Sequence, residues 1–407
     1  MATYPVGASK TYTTIQAAIT AAGAAQDYDA QIPVDAGTYP GDFTLATRIP
    51  GFWAMPIHLY AADPDNRPVI IPGSGGYGVT GDIQHADAGT RVPVFRNLIW
   101  SGGSNTNALV NGSGGTPMHF IGCDFLTPPK IVFRFANAGT SHARRWEIRR
   151  CRFDPPTGGE TISAGLAGYG LIESCRFRYT VNTYGIALCA TVSNWLAYNN
   201  SVYSTATGGT LFQLRDAYNN AIEIGSGNPT KLFNCNGTYD YNVFNWAGTN
   251  TGTNGGHNNA SGIPGFTSPS TGDFSITTAS PCYNTGTTLA DVTIDYLETA
   301  RPQDGFYDVG AFEYVNLVYS AWNTGSGETY PKVSSSFVIN KYLNLSQTYS
   351  LRSGLNAANG LTVVEQAPFS LGSSGPISLR LRTKAYILVP EGHNPSTQAG
   401  TPLTSSV

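Results

Sequence analysis

Charge is scarce in this chain of 407 residues: Asp, Glu, Lys and Arg together make up 12%, well under the usual quarter. Methionines number three and histidines six. No run of eighteen apolar residues occurs, and Met1-Ala2-Thr3-Tyr4-Pro5 contains no basic segment leading into an apolar one. These absences exclude a coiled coil, a membrane-spanning helix and a recognisable secretory leader. A net charge of -3 and a pI near 6.1 give no bulk attraction to nucleic acid or to a membrane surface. The six cysteines lack the C-x-x-C spacing of a metal site. No metal and no cofactor are expected, and the thiols are expected to be free.

Glycine is abundant at 47 residues, and aromatics reach 12%. Between Val94 and Phe244 a short phrase recurs: an apolar residue, Asn or Cys three positions on, a large apolar residue two further. The Asn/Cys member falls at Asn97, Cys123, Cys151, Cys175, Asn200, Asn220 and Asn242, at intervals of 20 to 28 residues. Repeats of this length are supersecondary units that bury their apolar face only by stacking on copies of themselves. Alternating apolar positions, β-branched and aromatic residues, and Gly, Asn and Ser between them make the unit a set of strands. The pattern predicts an all-β chain, a parallel β-helix in which amides and thiols line up indoors about 4.8 Å apart.

One helix is expected, over Tyr12–Ala22, with Thr13 as its cap, Gln16 three residues on, and Ile15, Ala18, Ile19 and Ala22 on one face. It closes the first coil. The sequence divides into an N-terminal cap (1–30), the β-helix (31–315), a small antiparallel β domain for docking or oligomerisation (316–394) and a tail (395–407). Gly248–Ser270, poor in apolar residues, reads as a surface loop containing His257.

Tyr12-Thr13-Thr14-Ile15-Gln16-Ala17-Ala18-Ile19, with Ile32-x-Val34-x-x-Gly37-Thr38-Tyr39, resembles the opening of right-handed parallel β-helix proteins of the pectin-lyase-like superfamily. Ala279-Ser280-Pro281-Cys282, Arg301-Pro302-Gln303-Asp304-Gly305 and Asp308-Val309-Gly310-Ala311-Phe312 are similar to the closing segment of many bacterial and phage members. The resemblance brackets residues 11–314 and implies the fold more than any activity. It also implies a virion or surface protein, with a homotrimer favoured.

Enzymes of that superfamily use carboxylates in an external groove. The motifs Asn-Thr-Asp, Gly-His-Gly and Arg-Ile-Lys are absent from this sequence, as is Trp-Ile-Asp-His. Between Arg134 and Arg178 lie eight arginines and four acids. Counting from the Asn/Cys column, Asp124 and Arg152 share an outward slot on adjacent coils, as do Arg149 with Glu173 and Asp154 with Arg178. Such pairs are worth roughly 0.2–1 kcal/mol each and hold register. Should the chain be an enzyme, its carboxylates are Glu147, Glu173, Asp124 and Asp154. Arg144, Arg145 and Arg150 lack such partners and are contact candidates, and Trp100 and Tyr203 count as outward aromatics able to stack sugars.

The reading that follows is a non-enzymatic virion-type protein, a phage decoration, fibre or spike subunit contacting capsid or tail proteins. One alternative is a carbohydrate-active enzyme, a lyase or glycosidase, acting on a surface polysaccharide over the Arg-rich coils. The other is an extracellular adhesin at the cell surface.

Overall fold

The structure, a computed structural model, describes residues 2–45, 57–72, 79–81, 92–101, 108–112, 118–126, 131–135, 145–154, 160–164, 169–179, 187–189, 194–258 and 262–315, except 28, 42, 206 and 304, with seven short strand segments after 315. Up to residue 254 it is a right-handed parallel β-helix. Each coil has three strands. Face A includes Gln31–Val34, His58–Ala61, Val94–Arg96, His119–Ile121, Trp146–Arg149, Tyr169–Glu173, Asn194–Tyr198 and Asp216–Tyr218. A two-residue bend leads to face B, a nine-stranded sheet running from Thr38–Pro40 to Val243–Phe244. Face C carries Phe43–Thr44, Val79–Gly81, Ala108–Gly112, Ile131–Phe135, Glu160–Ala164, Ala187–Cys189 and Thr210–Leu214, and ends in Lys231–Asp240, which runs on into face A. Every ladder in these faces is parallel.

The bend explains the recurring phrase. Its first residue is left-handed in seven coils: Asn97 (φ 54°), Gly122 (64°), Arg150 (53°), Ser174 (52°), Asn199 (52°), Asn219 (57°) and Tyr241 (54°). Gly and Asn tolerate this conformation most readily. The second bend residue points inward, giving the column Cys123, Cys151, Cys175, Asn200, Asn220 and Asn242, each fully buried.

Asn97 does not belong to that column. It is the left-handed residue, and Leu98 takes the inward place beside it. The first copy of the phrase is therefore shifted by one, and a shift of one residue in a strand exchanges its two faces. Trp100, expected outside, pairs with Phe125 in register and stacks on it inside the coil at 6.5 Å, only 1% exposed.

The column also extends further than the phrase. Asn258 continues it, and Thr251–Asn254 is a strand of the last coil where a loop was expected. That strand is exposed throughout, which is why its sequence carries no apolar signature.

Aromatic rings fill the middle coils. Phe125, Phe153 and Phe177 stack at 4.9 and 4.6 Å, and Phe133 meets Phe125 edge-on at 5.1 Å. Gly170 stands between Trp146 and Trp195 in the ladder, and a Cβ there would lie 2.2 Å from the Trp195 indole.

The helix spans Ile15–Ala24, and its cap is Thr14, whose hydroxyl accepts from Ala17 N at 3.2 Å. Gln16, expected to close a capping box, instead accepts from Thr44 N at 2.8 Å. Ile15, Ala18, Ile19 and Ala22 face the core as the periodicity requires. Residues 3–6 bridge to the first face-A strand, covering its open edge.

The chain divides into two compact units, one of Met1–Tyr296 with Ala300–Tyr314, the other of Leu297–Thr299 with Val315–Val407. In the second, the described segments form antiparallel ladders: Tyr319–Asn323 with Thr329–Val333, Thr348–Tyr349 with Phe369–Ser370, and Leu351–Ser353 with both Val364–Glu365 and Tyr386–Ile387.

Candidate functional site

Strand alternation places the charged residues of the middle coils outward on faces A and B. All four candidate carboxylates are held by arginine. Arg149 donates to Glu173 at 2.7 Å and to Glu147 at 2.9 Å, and Arg145 donates to Glu147 at 3.1 Å. Arg178 reaches Asp154 at 3.0 Å, and Arg152 Nε donates to the same carboxylate at 2.6 Å.

Asp124 is adjacent to Arg152 in register, yet its ion pair is with Arg67 at 2.5 Å. Arg152 turns to Asp154, two positions along its own strand and on the same face. Arg67 precedes the coil phrases and therefore fell outside the slot counting.

Burial by itself would raise the Glu147 carboxyl. Arg149, with His119 and Arg145, outweighs it and holds the group below the usual carboxylate range. His119, whose Nδ1 lies 3.8 Å from Glu147, is lowered by its own burial despite that carboxylate. Glu147 is therefore ionised and has no role as a general acid near neutral pH. Glu173 is 2% exposed and sits under the same guanidinium.

A strap made of residues 262–296 and 300–314 returns along the outside of the coils and completes this network. Asp291 accepts from Arg145 at 3.1 Å through its carboxylate and from Arg149 at 3.1 Å through its carbonyl. Gly272 and Ser270 carbonyls accept from Arg176 and Arg178 at 2.9 and 3.2 Å, and Arg176 lies over the Tyr296 ring at 5.0 Å. The left-handed bends serve as docking points. Asn199 donates to Asp308 O at 3.0 Å, Asn219 donates to Thr287 O at 2.7 Å, and Ala311 N donates to Ser201 Oγ at 2.8 Å.

The contact candidates change accordingly. Arg145 is engaged by Glu147 and Asp291, Arg150 is a bend residue with its φ at 53°, and Arg144 lies outside the described residues. Tyr203 is half-buried against Phe266, Phe274, Ile276, Cys282 and Val309 of the strap. Trp100 is enclosed in the coil, and Tyr203 is partly covered by the strap. The band predicted as a ligand groove is largely a seam between the coils and their own returning segment.

No protein-family model and no curated protein matches this chain. Among solved structures it is similar to pectin methylesterase from Aspergillus niger in its deglycosylated form, at 15% identity and a TM-score of 0.33, over 64% of this chain and 86% of that one. The penultimately deglycosylated form of the same enzyme gives 14%, 0.31, 62% and 86%.

His257, expected in a loop, follows the last coil strand. Its Nδ1 lies 2.8 Å from Asp240, its ring stacks on Tyr241 at 4.4 Å, and its N–H also reaches Asp240 at 2.8 Å. Asp240 additionally accepts from Tyr241 N at 3.0 Å. The carboxylate gathers three donors from the chain around it and closes the last coil. Among the described residues, no group of three or more His, Cys, Asp or Glu is placed to hold a metal ion.

Proposed function

We propose that this chain is a non-catalytic β-helical rod of the virion type, a decoration, fibre or spike subunit serving attachment or the stabilisation of a capsid or tail. One observation carries the reading: each of the four candidate carboxylates, Asp124, Glu147, Asp154 and Glu173, is bound by at least one arginine. Acid–base catalysis by two carboxyl groups needs one of them protonated, and Arg149, His119 and Arg145 hold the Glu147 carboxyl below the usual carboxylate range. The same pairs fit a structural task, since they tie adjacent coils and the strap into one stiff body. The unit after residue 315 supplies docking or trimerisation.

The test is incubation with a panel of acidic and neutral polysaccharides, measuring reducing ends and unsaturated products. No turnover is expected. Turnover that disappears in Glu147→Gln or Glu173→Gln would restore the carbohydrate-active reading. Sedimentation of the chain with and without residues 316–407 tests the oligomerisation role, with loss of the trimer expected on truncation.

A further inference from the structure

We propose that the open edge of the last coil, the strand Thr251–Asn254, pairs with the same strand of a second copy of this chain, antiparallel and about a two-fold axis. The inference goes beyond the attachment reading above and stands independently of it.

The two ends of the β-helix are finished differently. At the first coil, Tyr4 N donates to Gln31 O at 2.7 Å and Val6 N to Pro33 O at 2.9 Å, so the start of the chain occupies that edge of face A. At the last coil, Thr251–Asn254 pairs on its inner side with Lys231–Asp240, and among the described residues no strand pairs with its outer side. Thr251 to His257 are all exposed. An edge strand offers unpaired N–H and C=O groups as a template for another strand, and chains protect such edges with Lys, Pro, a bulge or a covering segment. This strand, Thr-Gly-Thr-Asn, carries no charge and no Pro. The bulge of its ladder, between Asn234 and Thr238, falls in the inner strand.

The hydrogen bonds set which groups face out. Gly255 N donates inward to Tyr239 O at 3.2 Å. Successive residues of a strand point their main-chain groups to opposite sides, so the N–H and C=O of Asn254 face away from the coil. An antiparallel copy centred on Thr253 brings Gly252 of one chain opposite Asn254 of the other. It also sets the two Thr253 side chains next to each other, a pairing that suits adjacent strands.

Charge selects this arrangement. Lys231 Nζ donates to Thr251 Oγ1 at 2.6 Å, so a positive charge marks the start of the edge. The Asp240 carboxylate, 2.8 Å from His257 Nδ1, marks its end. The two-fold axis puts each Lys231 end beside the Asp240 end of the other copy. A head-to-tail stack would need the edge of the first coil, which is already taken, so the contact closes between two copies instead of running on into a fibre.

Sedimentation equilibrium of the full chain tests the pairing. It is run over a concentration series, because an edge of four residues makes a small interface and a weak association. Thr253→Lys and Thr253→Asp each set two like charges together across the axis. Each is expected to halve the mass of the parent, from hexamer to trimer if the unit after residue 315 trimerises the chain and from dimer to monomer if it does not. An equimolar mixture of the two variants should restore the parent mass. Thr253 is exposed, so both variants should keep the circular dichroism spectrum of the parent.

The pairing is overturned if neither variant lowers the mass, or if the mixture stays at the halved value. A parent that shows no such doubling at any concentration overturns it as well, and leaves the edge to a strand from another protein. None of these results bears on whether the chain is catalytic.

Discussion

The inward column is one structural position built in two chemistries. At Cys123, Cys151 and Cys175 the thiol donates to the carbonyl of the coil below, Phe95, Phe120 and Ile148, at 3.6, 3.4 and 3.3 Å. At Asn200, Asn220 and Asn242 the amide does the same toward Ile172, Ala197 and Ala217 at 3.0, 2.9 and 3.0 Å. The amide then adds a second link: each Nδ2 reaches the next Oδ1 at 2.9 Å, from Asn200 through Asn220 and Asn242 to Asn258. Each Oδ1 also accepts the main-chain N–H of the coil below, as Asn200 does from Cys175 at 3.0 Å.

The neighbours differ in step. Stacked phenylalanines flank the thiols, whereas Ala197, Ala217, Val202 and Ile222 flank the amides. Where rings fix the stacking, a weak polar link satisfies the carbonyl. Where side chains are small, a ladder of strong hydrogen bonds sets the register.

The largest effect that would sharpen this contrast is in the amide half. Asn220→Leu removes donors to the Ala197 and Tyr218 carbonyls and to Asn242, together with the acceptor for Asn200. Leaving those buried groups unmet should cost about 3–5 kcal/mol in urea unfolding. Cys151→Ala should cost only about 1–2 kcal/mol. Equal losses would break the comparison.

Next comes pH. Arg301 and Glu313 pair at 2.8 Å with side chains 0% and 1% exposed. Burial pushes the Glu313 carboxyl up to about 7, with Asp308 adding to the rise and Arg301 opposing it. A raised carboxyl pKa means that the folded chain holds the proton more tightly than the unfolded chain does. This contribution is full below about pH 4.5 and is lost as pH rises through about 7, at a cost on the order of 2–3 kcal/mol. Melting temperature should fall from pH 5 to pH 8, and Glu313→Gln should flatten that fall. The thiol half adds no slope there, because burial pushes the Cys123 and Cys151 thiols well above their usual range.

A smaller effect tests exchange at the boundary of the two chemistries. Cys175→Asn places an amide beside Asn200, able to donate to Ile148 O and to accept from Cys151 N, which now meets sulfur at 3.4 Å. Stability should change by less than about 1 kcal/mol, whereas Asn220→Cys should lose a clear part of the Asn220→Leu cost. Smallest in energy is thiol reactivity: Cys123 and Cys151 should resist a thiol reagent until the chain unfolds, since neither the thiolate nor the access it needs is present. Labelling followed by mass spectrometry checks this.

The column was legible because the bend gives every coil the same local demand. Cys123 to Asn242 could be aligned from spacing alone, and the pairs Arg149–Glu173 and Asp154–Arg178 followed from that alignment. The first copy of the phrase was misaligned because Asn serves both bend positions: Asn97 is left-handed, while Asn200 points inward. Trp100 changed sides as a result. Asn258 was missed because no apolar residue marks its strand. The partners of Arg145 and Asp124 were out of reach for another reason. Asp291 lies 146 residues from Arg145, and Arg67 lies 57 residues from Asp124.

By itself the sequence determined the parallel coil, its inward column and its capping helix, because each follows from periodicity and from bend chemistry repeated at every turn. Only the tertiary structure decided which arginines the returning segment takes up. That depends on where a non-repeating segment, residues 262–296 and 300–314, comes to rest, and its resting place is set by a sum of contacts with many separate coils rather than by any local pattern.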